Sequence, residues 1–188
     1  MKMFPMLALA SALSVGTCAM LPGCSTAPRT EEGRLEIQSE SQRAMERFVA
    51  TDSSMEAHFQ NAYGYAIFPN VGRGGAGVGG AYGRGTVYEQ GDLIGYCDLS
   101  QGTIGFQLGG QAYSQVIFFQ HKGALDRFTS GEFAFAAQAS AVAATAGASA
   151  DAAYDGGVMV FTMTRGGLMY EASIGGQKFT FEPVDPTE

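Results

Sequence analysis

Hydrophobic and polar positions change rhythm twice along this chain. An apolar run without charge extends from Phe4 to Gly23. A charged stretch of good helix formers then runs from Glu31 to Ala50. Within it Leu35, Ala44, Met45 and Phe48, with Val49 beside them, fit one face loosely and predict an amphipathic helix. The cluster Thr51-Asp52-Ser53-Ser54 ends that helix and caps a second, short one through Met55, Ala57 and Phe59. From Ala62 the period drops to two. Tyr63 to Phe68 reads as a strand and Pro69-Asn70 as a turn signal. A glycine tract from Gly72 to Gly85 follows, and Glu89-Gln90-Gly91-Asp92 is a hairpin turn into Leu93 to Leu99.

Further along, Ile104, Phe106 and Leu108 alternate with Thr103, Gly105, Gln107 and Gly109, and Val116 to Phe119 is a compact apolar strand. Lys122 to Phe128, closed by Ser130-Gly131, predicts a short helix. Residues 132–154 are alanine-rich and fit helix or strand. Val158 to Thr164 and Leu168 to Ile174 form a hairpin about Arg165-Gly166-Gly167, with Lys178 to Glu182 as a last strand. The expected class is α+β: one domain with a Gly-rich antiparallel β-sheet or partly closed barrel. A few short helices accompany it, the N-terminal one covering one end.

Read with period two, the glycine tract places Gly75, Gly77, Gly79, Ala81, Gly83 and Gly85 on one face and Ala76, Val78, Tyr82 and Arg84 on the other. One face of that strand is nearly bare. Close packing or a bend in a curved sheet is the structural explanation; a groove for a ligand is the alternative.

Composition narrows the function classes. The 27 glycines among 188 residues are about twice the ordinary share of roughly 7%. They lack a three-residue period, and with only 6 prolines the chain is not collagen-like. A net charge of −7 argues against nucleic acid as a partner, since phosphate backbones are bound by basic fields.

The N-terminal run has the layout of an export signal: Lys2, an apolar middle, and a small-residue exit. A membrane-spanning helix is the alternative, opposed by Pro5 and the abundance of Ala, Ser and Gly. The exit, Leu21-Pro22-Gly23-Cys24, resembles the bacterial lipobox L-x-G-C, in which the cysteine is acylated after cleavage before it. More than one acyl chain makes such an anchor stable. Ser25 rather than Asp after the cysteine points, by analogy with enterobacterial sorting, to the periplasmic side of the outer membrane. The expected division is therefore a signal at 1–23, a tether at 24–30, a folded domain at 31–182 and a tail at 183–188. Removing 23 of the 188 residues leaves 165 and takes the charge from −7 to −8. Cys97 is then the one free thiol, so no intrachain disulfide is expected.

Catalytic and cofactor patterns fail on context. Gly75-Ala76-Gly77-Val78-Gly79-Gly80 matches G-x-G-x-x-G, but strand-like residues follow where a pyrophosphate site needs a helix. No Lys-Ser/Thr pair completes a phosphate loop. Cys97 with His58 and His121 has the letters of a thiol enzyme without a spacing that joins them, and a packed thiol is the plainer reading. Asp151 and Asp155 read as surface residues. No metal spacing, no cofactor motif and no serine elbow is present, so an enzyme is not expected.

Tyr65-Ala66-Ile67-Phe68-Pro69-Asn70-Val71-Gly72 and Gly74-Gly75-Ala76-Gly77-Val78-Gly79-Gly80 resemble the opening of the SYLF domain. The similarity continues through Gly102-Thr103-Ile104-Gly105-Phe106-Gln107-Leu108-Gly109-Gly110-Gln111 and Ala124-Leu125-Asp126-Arg127-Phe128. It covers about Glu31 to Gly176. Eukaryotic members bind membrane lipids, notably phosphoinositides, and some regulate actin; bacterial members are mostly exported proteins or lipoproteins. The resemblance implies binding of phospholipid or another amphiphile at a membrane surface. Eukaryotic lipid binding is associated with a basic N-terminal part, whereas here Glu31, Glu32, Glu36, Glu40 and Glu46 outnumber Arg34, Arg43 and Arg47. Actin is not carried over, because a periplasm holds none. For an anionic head group Arg73 and Arg84 are the candidates, then Lys122 and Arg127. The rival expectation is a structural or protein-interaction module with the glycine strand as an exposed docking edge.

Overall fold

A computed structural model describes residues 26–105, 111–131, 141–143, 152–164, 167–171 and 176–184. The expected export signal aside, these contain most of the predicted elements. Helix α1 (Glu31–Thr51) begins at Thr30, whose hydroxyl accepts from the Gly33 amide, and ends at Asp52, within the predicted Thr-Asp-Ser-Ser breaker. Helix α2 (Met55–Asn61) follows directly.

Strand β1 (Gly64–Glu89) is 26 residues long and β2 (Asp92–Gly105) returns antiparallel beside it. The turn between them uses Gln90 and Gly91 at φ 52° and 95°, the left-handed values a tight hairpin needs. Strand β3 (Gln111–Phe119), helix α3 (Lys122–Thr129), β4 (Ala141–Ala143), β5 (Val158–Thr164), β6 (Gly167–Glu171) and β7 (Gln177–Pro183) complete the chain order. Among the described residues the seven strands form one antiparallel sheet in the order β4-β6-β5-β3-β1-β2-β7. The fold is α+β, and the sheet is open rather than closed into a barrel.

Two expectations are corrected. Pro69-Asn70 is not a turn: β1 runs through it, and the β1–β3 register shifts between Phe68 and Val71, so the pair forms an irregularity within one long strand. Proline has no amide to give the ladder, which is why pairing lapses there. Leu35 is 60% exposed and does not face the sheet; the inward stripe of α1 is Ile37, Ser41, Ala44 and Phe48. Along the glycine strand the ladder partner changes: Gly72 and Arg73 pair with β3, and Gly77 to Gly85 pair with β2. The Ala-rich 132–154 segment lies largely outside the described residues, as do Cys24 and the rest of the export signal.

Alternation along the strands divides the interior into two cores. Ile67, Val116, Phe118, Met159 and Phe161 face Phe48 and Ala44 of α1 and Met55 of α2. Ala66, Phe68, Ile117, Phe119 and Val160 face the opposite way, toward Leu125 and Phe128 of α3. Cys97 and Leu99 of β2 and Phe179 of β7 join this second core, because the sheet curls back over itself. The curl brings β7 across from β3: the buried Gln115 and Gln177 side chains exchange hydrogen bonds of 3.1 and 3.3 Å.

The curl also answers what lies against the bare face of β1. At Gly83 and Gly85 it is the strand's own first half. A Cβ on Gly83 would fall 2.8 Å from Val71 Cγ2 and 3.0 Å from the Asn70 carbonyl oxygen. One on Gly85 would run into the Ile67 carbonyl and the Phe68 ring. At these two positions only glycine admits the approach.

Candidate functional site

The cations singled out from sequence do not converge. Arg84 and Asp98 are register partners across β1–β2, with Arg84 Nε 3.5 Å from Asp98 Oδ1, an ion-pair separation rather than a hydrogen bond. The Tyr82 hydroxyl, 53% exposed as a residue, donates to the same carboxylate at 3.1 Å. Burial pushes the Asp98 carboxyl up from 3.8, against the lowering pull of Tyr82, Arg84 and the Thr26 hydroxyl. Arg73 sits opposite Gln111 on the β1–β3 side, half-buried, with its Nε lacking a partner. Lys122 is paired with Asp126 at 2.6 Å within α3, and Arg127 donates to the Gly156 carbonyl at 2.9 Å. The groups acting on Lys122 are Asp126, Glu89 and Tyr63; those acting on Arg84 are Tyr82 and Asp98. These are two separate neighbourhoods.

The glycines split likewise. Gly77 and Gly79 pair with Gly105 and Thr103 of β2, while Gly83 and Gly85 are filled by β1 itself. Gly75 lies on β1 in the stretch between its β3-paired and β2-paired parts. At Gly83 and Gly85 the bare face is a packing surface.

Residues 26–28, read from sequence as tether, are packed against the sheet. Thr26 and Ala27 are 9% and 7% exposed. Thr26 shares a 3.1 Å hydroxyl–hydroxyl hydrogen bond with Thr180 of β7, and the Ala27 amide donates to Glu182 Oε2 at 2.9 Å. Ala27 packs with Ile37 and Tyr96, and Gln38 of α1 donates to the Tyr96 hydroxyl at 2.9 Å. This segment, Asp98, Arg84 and Tyr82 therefore form one continuous patch.

A cleft that sequence reasoning missed opens between α1 and the far end of β3 and β5. It encloses about 490 Å³, and Glu40, Arg43, Arg47, Asn70, Ser114 and Thr164 supply its polar lining. Arg43 and Arg47 are one helical turn apart, a like-charge spacing that costs an isolated helix about 0.2–0.5 kcal/mol. The spacing is visible in the sequence, but there the surplus of glutamate over arginine counted against α1 as a basic surface. A second hollow, of about 610 Å³ around Phe59 to Tyr65, Gln90, Gly91 and Gln120, is lined by no charged side chain.

The thiol and histidines are structural. Cys97 is fully buried, and burial, helped by the charge of Asp98, pushes its thiol well above 9.0. His58 packs 5.8 and 5.5 Å from the rings of Phe118 and Phe161. His121 caps α3, its Nδ1 accepting from the Ala124 amide at 3.2 Å. Neither histidine shares the core of Cys97.

The described residues thus form an α+β domain, an open, curled antiparallel sheet with helices on both faces. Residues 100–183 match the family described as "Ysc84: Las17-binding protein actin regulator". Over 158 residues the chain is 28% identical to "Beta cell expansion factor A" of Aeromonas veronii, an alignment covering 81% of this chain and 59% of that relative. The chain is thus similar to the Ysc84/SYLF family over residues 100–183, the family its motifs resemble. It spans less than two thirds of that relative's length.

Proposed function

We propose that the chain is a bacterial envelope lipoprotein, acylated at Cys24, whose Ysc84/SYLF-family domain binds phospholipid or another amphiphile at the periplasmic face of the outer membrane. It is read as a binding module rather than an enzyme. The observation that carries the proposal is the docking of Thr26 and Ala27 on β7. The two Cα–Cα steps from Cys24 to Thr26 reach at most about 7 Å. An acyl anchor at Cys24 would thus hold the β2–β7 side, with exposed Tyr82 and half-buried Arg84 beside it, close to lipid. A tyrosine with an apolar ring and polar tip suits that interface, and a guanidinium there meets phosphate oxygens. Actin regulation, the role in the family's description, is not carried over, because an exported domain meets no actin.

The test has two arms. Cys24→Ala is expected to move the protein from the membrane to the soluble fraction; a variant that stays membrane-bound overturns the anchor. The unacylated protein is expected to float with liposomes of neutral or anionic phospholipid. Flotation with no composition overturns lipid binding and leaves the rival reading, a protein-interaction module. That reading is favoured by β4 and β7 standing at the ends of the strand order, where strand addition is possible.

A further inference from the structure

We infer that the cleft beside α1 is an oxyanion site in which Arg43 and Arg47 hold a phosphate group. The inference extends the lipid reading above by giving the phosphate a place apart from Arg84 and two residues that reading does not use.

The cleft borders the Pro69-Asn70 irregularity. Where β1 loses register with β3, the Pro69 carbonyl is released from the ladder and accepts instead from the Ser114 hydroxyl at 2.6 Å. That bond commits the serine's proton, so Ser114 Oγ faces Arg47 as an acceptor, 3.5 Å from Nη2. Arg43 Nη1 donates to Ser39 Oγ at 2.7 Å, one turn back along the helix. Each guanidinium is thereby held by one neutral oxygen while most of its five N–H groups remain uncommitted. Among the described residues neither arginine lies within ion-pair distance of a carboxylate, although α1 carries five glutamates.

Helix packing alone does not ask for this arrangement. The sheet-facing stripe of α1 is Ile37, Ser41, Ala44 and Phe48, and neither arginine belongs to it. Two like charges one turn apart repel each other, and an anion placed between them removes the repulsion. Planar guanidinium forks match the oxygens of a phosphate in a bidentate way. With Glu40 on the rim, the three charged lining residues sum to one positive charge in a chain of net −7. The rest of the lining, Tyr113 and Met163 with Asn70 and Thr164, is mixed in polarity. It suits a phosphate ester better than a bare inorganic ion. Such an ester is supplied either by a membrane phospholipid head group or by a soluble phosphate monoester.

The experiment follows the Arg Nε–H resonances of the full chain by NMR while glycerol 3-phosphate or phosphatidylglycerol vesicles are added. Affinity for both is measured in parallel for the Arg43→Gln, Arg47→Gln double variant. Shifts of the Arg43 and Arg47 signals with glycerol 3-phosphate, and at least a tenfold loss of affinity in the variant, support the site with a soluble ester as ligand. The same response to vesicles alone supports it with a head group as ligand. Signals that move with neither ligand, or a variant that matches the parent on both, overturn it. In that case flotation of the parent chain still upholds the lipid reading, so the two proposals fail separately. Both side chains are exposed, so an unchanged thermal midpoint is expected for the variant. The resonances of the parent protein test the site without recourse to any variant.

Discussion

At Gly85 the backbone of β1 touches its own first half, and the consequence is a position where the smallest possible enlargement is costly. Gly85→Ala would drive a methyl into the Ile67 carbonyl and the Phe68 ring, and backbone cannot swing aside as a side-chain tip can. Overpacking of this kind costs about 1–3 kcal/mol. Gly102, also on a strand, has nothing within 4 Å of the corresponding point. Gly102→Ala is therefore expected to stay within about 0.5 kcal/mol of the parent. Urea denaturation of the two variants checks the contrast, and equal effects would refute it. The bare face was legible in the sequence from the alternation at Gly83 and Gly85. Its partner was not. The residues that fill it, Ile67 to Val71, lie more than three helical turns' worth of sequence earlier on the same strand, and they arrive only because β1 continues through Pro69-Asn70. A local reading assigns that dipeptide to a turn.

Among the elements, α1 shows best how pattern and packing diverge. Its existence followed from helix-forming composition and its C-terminal end from the Thr51–Ser54 breaker, whereas the Thr30 cap lay in a segment read as tether. Its buried face did not, for a physical reason: the stripe includes Ser41, whose buried hydroxyl meets that of Thr86 at 2.9 Å. A search for apolar spacing passes over a serine and settles on Leu35, which is one of the most exposed large apolar side chains described. The same bias hid the cleft, since Arg43 and Arg47 were weighed as members of an acidic helix and not by the surface they share with β3 and β5. Phe48 is fully buried among Phe118, Phe161 and Met159, so Phe48→Ala is expected to destabilise by about 3–5 kcal/mol. Leu35→Ala should change stability by less than about 0.5 kcal/mol. Thermal or chemical denaturation separates the two readily, and a large loss at Leu35 would restore the stripe read from the sequence.

On the scale of the whole molecule, the curl of the sheet and the docked N-terminal segment meet at Asp98. Its carboxylate accepts from Tyr82 and pairs with Arg84, with the Thr26 hydroxyl also favouring its charged form. Burial nevertheless dominates and raises its ionisation above 3.8. The direction of the pH effect follows. Between 3.8 and the folded-state value the unfolded chain has released this proton while the folded chain retains it, so rising pH favours unfolding. The contribution of Asp98 is thus fully present below 3.8, is lost as pH climbs through the folded-state value, and is flat above it. Asp98→Asn removes that titration while keeping an acceptor for Tyr82. The stability of the variant relative to the parent is therefore expected to improve as pH rises from about 3.5 toward neutrality. Comparing the two proteins cancels the carboxylates they share, and denaturation at a series of pH values provides the measurement. A difference that falls with pH would mean that Arg84, Tyr82 and Thr26 outweigh burial. The patch joining the N-terminal segment to β1, β2 and β7 would then be held by charge and not by packing, and it would loosen with salt.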